Sequence, residues 1–364
     1  MDRQKEQKSK KAQVIQFPLA PEFSEFGEAR LPSNLRTRTS RVKLDSIEIC
    51  AGAGGQALGL EQSGFSHRGL IELDNDACET LRLNRSGWNV VHGDLWKAVK
   101  GELRSFRPAA FRGIDLIAGG VPCPPFSVAG KQLGRNDERD LFPPAIELVD
   151  QCRPRAVMLE NVRGFLDAVF YDYRTKLQQQ LHKLGYKSGW KLLNASDFGV
   201  PQLRPRVVIV AIKTGIADLF AWPDGGIEPL TVGDTLVDLM ATRGWRGAKK
   251  WQRNANEIAP TLVGGSKKHG GPDLGPTRAK RAWAELGVDG HGIANEPPIR
   301  DFVGNPKLTV RMAARLQGFP DDWEFFGKKT SSYRQVGNAF PPPVAKAVGE
   351  RLRLCLTARR LVAA

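Results

Sequence analysis

Cysteine is scarce in this 364-residue chain, and no two of its five cysteines stand three residues apart. That spacing excludes a CxxC redox pair and a zinc ribbon, and so low a density in so long a chain excludes a disulfide scaffold. Long apolar runs are missing as well. The longest strictly aliphatic stretch is Val207–Ile212, far short of the roughly 20 residues that span a bilayer. The lysine-rich start leads into residues 14–20, where Gln16 and Pro18 interrupt any signal-peptide core. A soluble, intracellular protein is the expectation. Acidic residues are in deficit: 54 Lys and Arg face 39 Asp and Glu, for a net charge of +15. An excess of that size favours a polyanionic partner.

The positive charge is concentrated. Residues 243–281 hold ten basic side chains, among them Arg243, Arg246, Lys249, Lys250, Lys267 and Lys268, against only Glu257 and Asp273. The segment is also rich in glycine and carries Trp245, Trp251 and His269. A merely solvated face seldom mixes charge and aromatics in this way, so a nucleic-acid surface is the preferred reading.

Residues 1–43 lack periodicity and read as a basic, disordered tail. From Leu44 onward, short apolar segments alternate with helical ones. Strands are expected at 45–49, 67–73, 89–94, 113–120, 156–162 and 206–212, and helices from the first glycine turn to about Gln62 and at 76–84, 138–152 and 169–184. Such alternation predicts a doubly wound, mostly parallel α/β sheet. Near residue 215 it stops, and 216–305 reads as a separate loop-rich module. Order returns at 306–364, with a helix at 308–319 capped by Thr309 and a long helix entered through Pro341–Pro343.

Between the first strand and first helix runs Cys50-Ala51-Gly52-Ala53-Gly54-Gly55-Gln56-Ala57. Glycines there allow a sharp turn and close approach of a ligand to the backbone. Glu72 ends the second strand 20 residues beyond Gly52, where a carboxylate can accept both hydroxyls of a ribose. Asp94 ends the third strand, facing the same cleft or capping the next helix. An adenosine-bearing ligand follows, with NAD and S-adenosylmethionine both compatible.

After the fourth strand comes Gly119-Gly120-Val121-Pro122-Cys123-Pro124-Pro125-Phe126-Ser127. A lone cysteine is usually a small buried hydrophobe, and Cys78, Cys152 and Cys355, within helical patterns, are read that way. Cys123 instead stands in a proline-stiffened loop at a strand's C-terminal end, where open α/β sheets place their chemistry. Glu160 closes the fifth strand, and Gln202-x-Arg204-x-Arg206 opens the next. Together they form a coherent set of nucleophile, acid and cations.

The ordered blocks EICAGAGG (48–55), ELDNDA (72–77), GD (93–94), PCPPFS (122–127), ENV (160–162), QLRPR (202–206), RMAARLQGFPDDW (311–323) and YRQVGNAFPPPVA (333–345) closely resemble those of bacterial-type DNA (cytosine-5) methyltransferases. The resemblance spans about 44–350. It implies a Rossmann-like S-adenosylmethionine-dependent fold, with 44–215 catalytic, 216–305 a target-recognition domain and 306–364 returning to the catalytic domain. It implies Cys123 as nucleophile, Glu160 at the base N3, and Arg204 and Arg206 at the base O2 or a phosphate. S-adenosylmethionine would lie against Cys50, Ala51, Gly52, Gly54, Gly55, Glu72, Leu73, Asp94, Pro122, Asn338 and Ala339.

The implied partner is double-stranded DNA, met by Arg243, Arg246, Lys249, Lys250, Lys267 and Lys268 with the target cytosine flipped out. Residues 259–271 are expected to read bases. A cognate restriction endonuclease would act separately. The resemblance further implies a monomer in a prokaryotic cytoplasm, at the nucleoid, with no metal. Cys50 stands where the family usually has phenylalanine, so the adenine must find another wall, such as Leu73. An RNA cytosine methyltransferase, a dormant DNA-binding regulator and an NAD oxidoreductase are the competing readings. The last leaves Cys123, the QxRxR segment and the basic insert without a role.

Overall fold

The run Val207–Ile212 has no polar residue because neither of its faces meets water. Val207, Ile209 and Ala211 enter one core layer, while Val208, Val210 and Ile212 enter the other. This is how a central strand covered on both sides reads in sequence. The structure is a computed structural model and describes residues 23–26, 42–122, 140–265 and 271–362, with side chains to Ala358.

The described chain opens with β1 (Phe23–Ser24), β2 (Leu44–Ile49), α1 (Gly55–Gln62), β3 (Phe65–Glu72), α2 (Asn75–Asn84), β4 (Val90–His92) and α3 (Leu95–Val99). It continues through β5 (Leu116–Gly120), α4 (Phe142–Cys152), β6 (Ala156–Val162), α5 (Tyr171–Lys183), β7 (Tyr186–Asn194) and β8 (Pro205–Lys213). The remaining helices are α6 (Thr214–Ala217), α7 (Val232–Ala241), α8 (Ala248–Asn254), α9 (Thr277–Glu285), α10 (Val310–Leu316), α11 (Lys329–Asn338) and α12 (Pro342–Val362).

Among the described residues, eight strands form one sheet in the order β1-β7-β8-β6-β5-β2-β3-β4. The run β4-β3-β2-β5-β6 is parallel throughout, β8 lies antiparallel between β6 and β7, and β1 pairs antiparallel with β7. The chain therefore reverses its winding between β2 and β5, and the crevice outside their carboxyl ends is where such sheets bind ligands.

Two of these strands depart from expectation. β7 escapes the periodicity reading because Lys187, Gly189 and Lys191 interrupt its apolar residues, and its neighbour Trp190 is only half-buried. β1 lies inside the stretch read as a tail. It holds on through Phe23, whose ring lies 4.8 Å from that of Trp190, and through Gly189, whose missing side chain lets the β1 backbone come close. The rest of the expected tail lies outside the described residues.

A second core lies beside the sheet. Val232, Leu236, Met240, Trp245, Trp251 and Trp283 pack with Leu308, Met312, Leu316, Trp323, Tyr333 and Val336. Residues 308–339 thus share the core of the loop-rich module, and the chain rejoins the sheet only at Phe340, whose ring enters the layer beneath β8. The expected boundary at 306 therefore falls inside one packed unit. Hydrophobic partners nonadjacent in sequence decide this, which periodicity alone does not reveal. Thr309 caps α10 as expected, accepting from the Met312 amide at 3.2 Å. The return helix α12 sits tightly on α1 because Gly59 presents no side chain to it; a Cβ at Gly59 would lie 2.4 Å from the Pro342 carbonyl oxygen.

Candidate functional site

A cavity of about 350 Å³ opens at the carboxyl ends of the parallel strands. Each strand contributes its last residues: Cys50 and Ala51 after β2, Glu72 and Leu73 from β3, Asp94 after β4, Gly120 and Pro122 from β5, and Glu160 near the end of β6. Gly52 and Gly55 form the glycine-loop wall, while Asn338 and Ala339, at the end of α11, close the opposite side.

The glycine loop is conformationally costly. Cys50, Gly52 and Gly54 all have positive φ, at 50°, 53° and 84°, and a non-glycine residue such as Cys50 is strained there. Glu72 holds the loop down. One carboxylate oxygen accepts from the Gly52 amide and the other from the Asp74 amide, each at 2.7 Å. Burial nevertheless keeps the Glu72 carboxyl above its usual range. Asp94 caps α3, accepting from the Trp96 and Lys97 amides, and also faces the cavity. Gly54 does not line the cavity. A Cβ there would meet Leu81 and Trp323 on the far side of the loop, so close packing and backbone conformation select glycine. Leu73 lines the cavity mouth but is largely exposed.

Glu160 and Arg206 form a buried ion pair, Arg206 Nε to Glu160 Oε1 at 2.9 Å, with each side chain 11% exposed. The register places them together: Val162 of β6 faces Arg206 at the start of the antiparallel β8. The second carboxylate oxygen fills the space a side chain at Gly120 would need. Desolvation pushes the Glu160 carboxyl above the usual range, and the guanidinium of Arg206, with that of Arg204 behind it, pulls it back only in part. A carboxyl raised in this way takes up a proton more readily than a free one, which suits it to donate to a base nitrogen.

Arg204 differs from the expectation. It is completely buried and faces no cavity wall. Its Nη1 donates to the Leu262 carbonyl at 2.8 Å, and its Nη2 to the carbonyls of Gly337 and Ala339 at 2.8 and 2.9 Å. It therefore ties β8, the 259–265 segment and the end of α11 together. Gln202 works beside it: its side chain accepts from the Leu262 amide and donates to the Leu316 carbonyl and the Gln317 side chain. Asn338 donates to the Gly265 carbonyl at 3.1 Å, and Gly337 packs directly on Gly264. In the sequence, residues 202–206 and 338 read as separate chemistry-bearing motifs; three-dimensionally they are one clasp.

Cys123, Lys267 and Lys268 lie outside the described residues, as does the middle of the 259–271 stretch. Among the other expected nucleic-acid contacts, Arg243 pairs with Glu296 and Arg246 with Asp301, both at the surface. Lys249 leans on Gln252, and Lys250 is exposed. The neighbouring tryptophans are not surface aromatics. Trp245 and Trp251 are buried, their indoles donating to the Phe302 and Gly287 carbonyls. The 243–254 stretch therefore presents charge outward and keeps its rings inside, where the second core needs apolar area.

Two cavity residues had no clear sequence signal. Glu48, on β2, and Gln56, in the first turn of α1, line the cavity from beneath, and their buried polar atoms have no hydrogen-bond partner. Glu48 read as part of a buried strand and the first residue of the 48–55 block, and Gln56 as part of the glycine loop; neither was singled out as a ligand contact. Among the described residues, no group of three or more His, Cys, Asp or Glu could hold a metal ion, and no helix is long and apolar enough to cross a membrane.

Comparison with known proteins agrees with this arrangement. The family model for C-5 cytosine-specific DNA methylases matches residues 44–353. The type II methyltransferase M.NaeI of Lentzea aerocolonigenes is 57% identical over 86% of this chain and 75% of its own length. M.NgoMIV of Neisseria gonorrhoeae is 55% identical over 85% and 97%. Among solved structures, the Schizosaccharomyces pombe Dnmt2 methyltransferase shares the fold at a TM-score of 0.55 and 19% identity, over 87% of this chain and 99% of that one. With a family match over most of its length and relatives at this identity, the chain belongs to the C-5 cytosine-specific DNA methylase family and is a DNA (cytosine-5) methyltransferase.

Proposed function

We propose that the protein transfers a methyl group from S-adenosylmethionine to C5 of a flipped-out cytosine within a specific double-stranded DNA sequence, through a covalent adduct between Cys123 and C6. The observation that carries this reading is the buried Glu160–Arg206 pair, whose carboxylate lines a cavity built from the carboxyl ends of the strands. The cavity's donor and acceptor set fits the cosubstrate. Glu72 and Asp94 offer acceptors to ribose hydroxyls and an adenine amine, and the unpartnered buried atoms of Glu48 and Gln56 call for a polar ligand. When bound, S-adenosylmethionine supplies an electrophilic methyl group on a sulfonium.

The residues divide the remaining work. Cytosine C5 is a poor nucleophile, and addition of the Cys123 thiolate to C6 moves the π electrons onto C5. Glu160 protonates or hydrogen-bonds N3, so the ring accepts that charge. Arg206 holds Glu160 in place and presents its remaining N–H groups to the base O2. After methylation, a base such as water takes the C5 proton, and its electron pair re-forms the C5–C6 double bond as the C6–sulfur bond breaks and Cys123 leaves as thiolate. Arg204 and Asn338 keep the recognition segment 259–265 against this centre. The duplex is held by Arg243, Arg246, Lys249, Lys250, Lys267 and Lys268; on binding, the first two exchange surface carboxylates for phosphates. We assign the protein to the modification half of a restriction-modification pair, working as a monomer in the cytoplasm with the endonuclease acting separately.

The test is methyl transfer from isotope-labelled S-adenosylmethionine to unmethylated DNA, with tRNA, Cys123→Ala and Glu160→Gln in parallel. The reading expects 5-methylcytosine in DNA, none with Cys123→Ala, and a rate lower by about 10²-fold or more with Glu160→Gln. Label confined to tRNA would move the function to RNA. Full activity of Cys123→Ala would sink the covalent mechanism.

A further inference from the structure

The glycine loop is gripped from behind by a residue of the other core. Trp323 follows α10 and packs with the module's hydrophobic cluster, yet its indole N–H donates to the carbonyl of Ala53 at 3.1 Å. Its ring also covers the next residue: a Cβ on Gly54 would lie 2.9 Å from the indole. Trp323 is 1% exposed and does not line the cavity, whereas Ala53 does.

A second layer holds the indole in place. The Arg85 guanidinium lies 5.2 Å from the Trp323 ring and 5.9 Å from that of Trp88. Glu61 holds both companions, Arg85 at 2.9 Å and the Trp88 indole at 3.2 Å.

The loop needs such support. Three of its residues have positive φ, and the N-cap of α1, Gly54, has no side chain to cap the helix amides. A strained loop persists only when its surroundings over-determine it. The Ala53–Gly54 peptide is the joint between the cavity wall and α1, and the Trp323 N–H fixes its plane with the carbonyl turned away from the ligand. We infer that Trp323 is a positioning residue for the cosubstrate loop, held by Glu61 and Arg85, through which the second core sets the affinity for S-adenosylmethionine. The inference rests on the cosubstrate assignment made above.

Trp323→Phe keeps an aromatic ring in the core and removes the N–H along with part of the indole bicycle. The expected result is a rise of about fivefold in both the dissociation constant and the KM for S-adenosylmethionine, the size of one buried hydrogen bond. The kcat and the affinity for unmethylated DNA stay unchanged. Unchanged cosubstrate affinity overturns the inference, and so does an equal loss of DNA affinity, which would mark general damage to the module. Should Trp323→Phe fail to give folded protein by thermal melting, Arg85→Gln decides, since it uncovers the indole and leaves the N–H in place. It is expected to raise the cosubstrate KM by a smaller factor with DNA affinity constant, and an unchanged KM overturns the inference. Wild-type protein that fails to bind S-adenosylmethionine overturns the cosubstrate assignment itself, and the inference with it.

Discussion

Replacing Arg204 by methionine separates two roles that the motif alone does not distinguish. If the side chain touched the target base, its loss would abolish chemistry and leave the fold intact. In the structure it is wholly buried, and its guanidinium serves three backbone carbonyls from two distant segments, Leu262, Gly337 and Ala339. Hydrogen bonds from a charged donor contribute about 1.5–3 kcal/mol each. The three share one group and are not additive, and leaving buried carbonyls unsatisfied costs about 1–3 kcal/mol each. Against a typical total of about 5–15 kcal/mol this is a large fraction. Guanidinium unfolding followed by the fluorescence of Trp245, Trp251, Trp283 and Trp323, all in the second core, should therefore show a midpoint lowered by the corresponding amount, with DNA affinity falling because 259–265 loses its anchor. Arg204→Lys should recover only part, since one ammonium cannot reproduce the planar fork. An unchanged unfolding midpoint together with lost activity would refute the clasp and return Arg204 to the base.

Glu48→Gln should alter the pH dependence of stability. The Glu48 carboxyl is buried, so desolvation, with the neighbouring Glu72 charge, raises its pKa well above the ordinary value, and the Ala57 amide offsets this only in part. Between the ordinary carboxylate range and that raised value the folded state binds more protons than the unfolded one, so stability falls as pH rises. The variant should lose this slope and be the more stable protein at pH 8; parallel profiles would contradict the assignment. Gly55→Ala places a methyl 2.2 Å from the Phe340 carbonyl oxygen and should cost about 1–3 kcal/mol in unfolding free energy, with weaker cosubstrate binding by dialysis. Lys250→Ala should lower the slope of log affinity against log salt by about 0.9 if Lys250 meets one phosphate, and an unchanged slope removes it from the interface.

The sheet was legible because burial on both faces leaves a local mark. Val207–Ile212 and Ala156–Leu159 carry no polar residue, and the glycines of 52–55 announce a turn between strand and helix. The strand ends then follow in order, which is why Glu72, Asp94, Cys123 and Glu160 could be nominated from the pattern, while Cys50 and Pro122 came from the resemblance. β7 and β1 were not legible, because each is stabilised by a partner far away in sequence rather than by its own pattern. The tryptophans of the basic stretch misled for a related reason. Sequence shows that rings and charges alternate, but not that the rings turn inward.

By itself, the sequence determined the periodicities that make the sheet, the residue types able to perform the chemistry, and the excess positive charge. Those are properties of single residues and short windows. Only the tertiary structure decided what each group faces. It left Glu160 paired with Arg206 at the cavity, took Arg204 out of it, and brought Trp323 behind the loop that Glu72 holds in front. Such assignments depend on contacts between residues up to 270 positions apart, and no local pattern encodes which of two arginines two residues apart will clasp backbone carbonyls in a core and which will pair with Glu160.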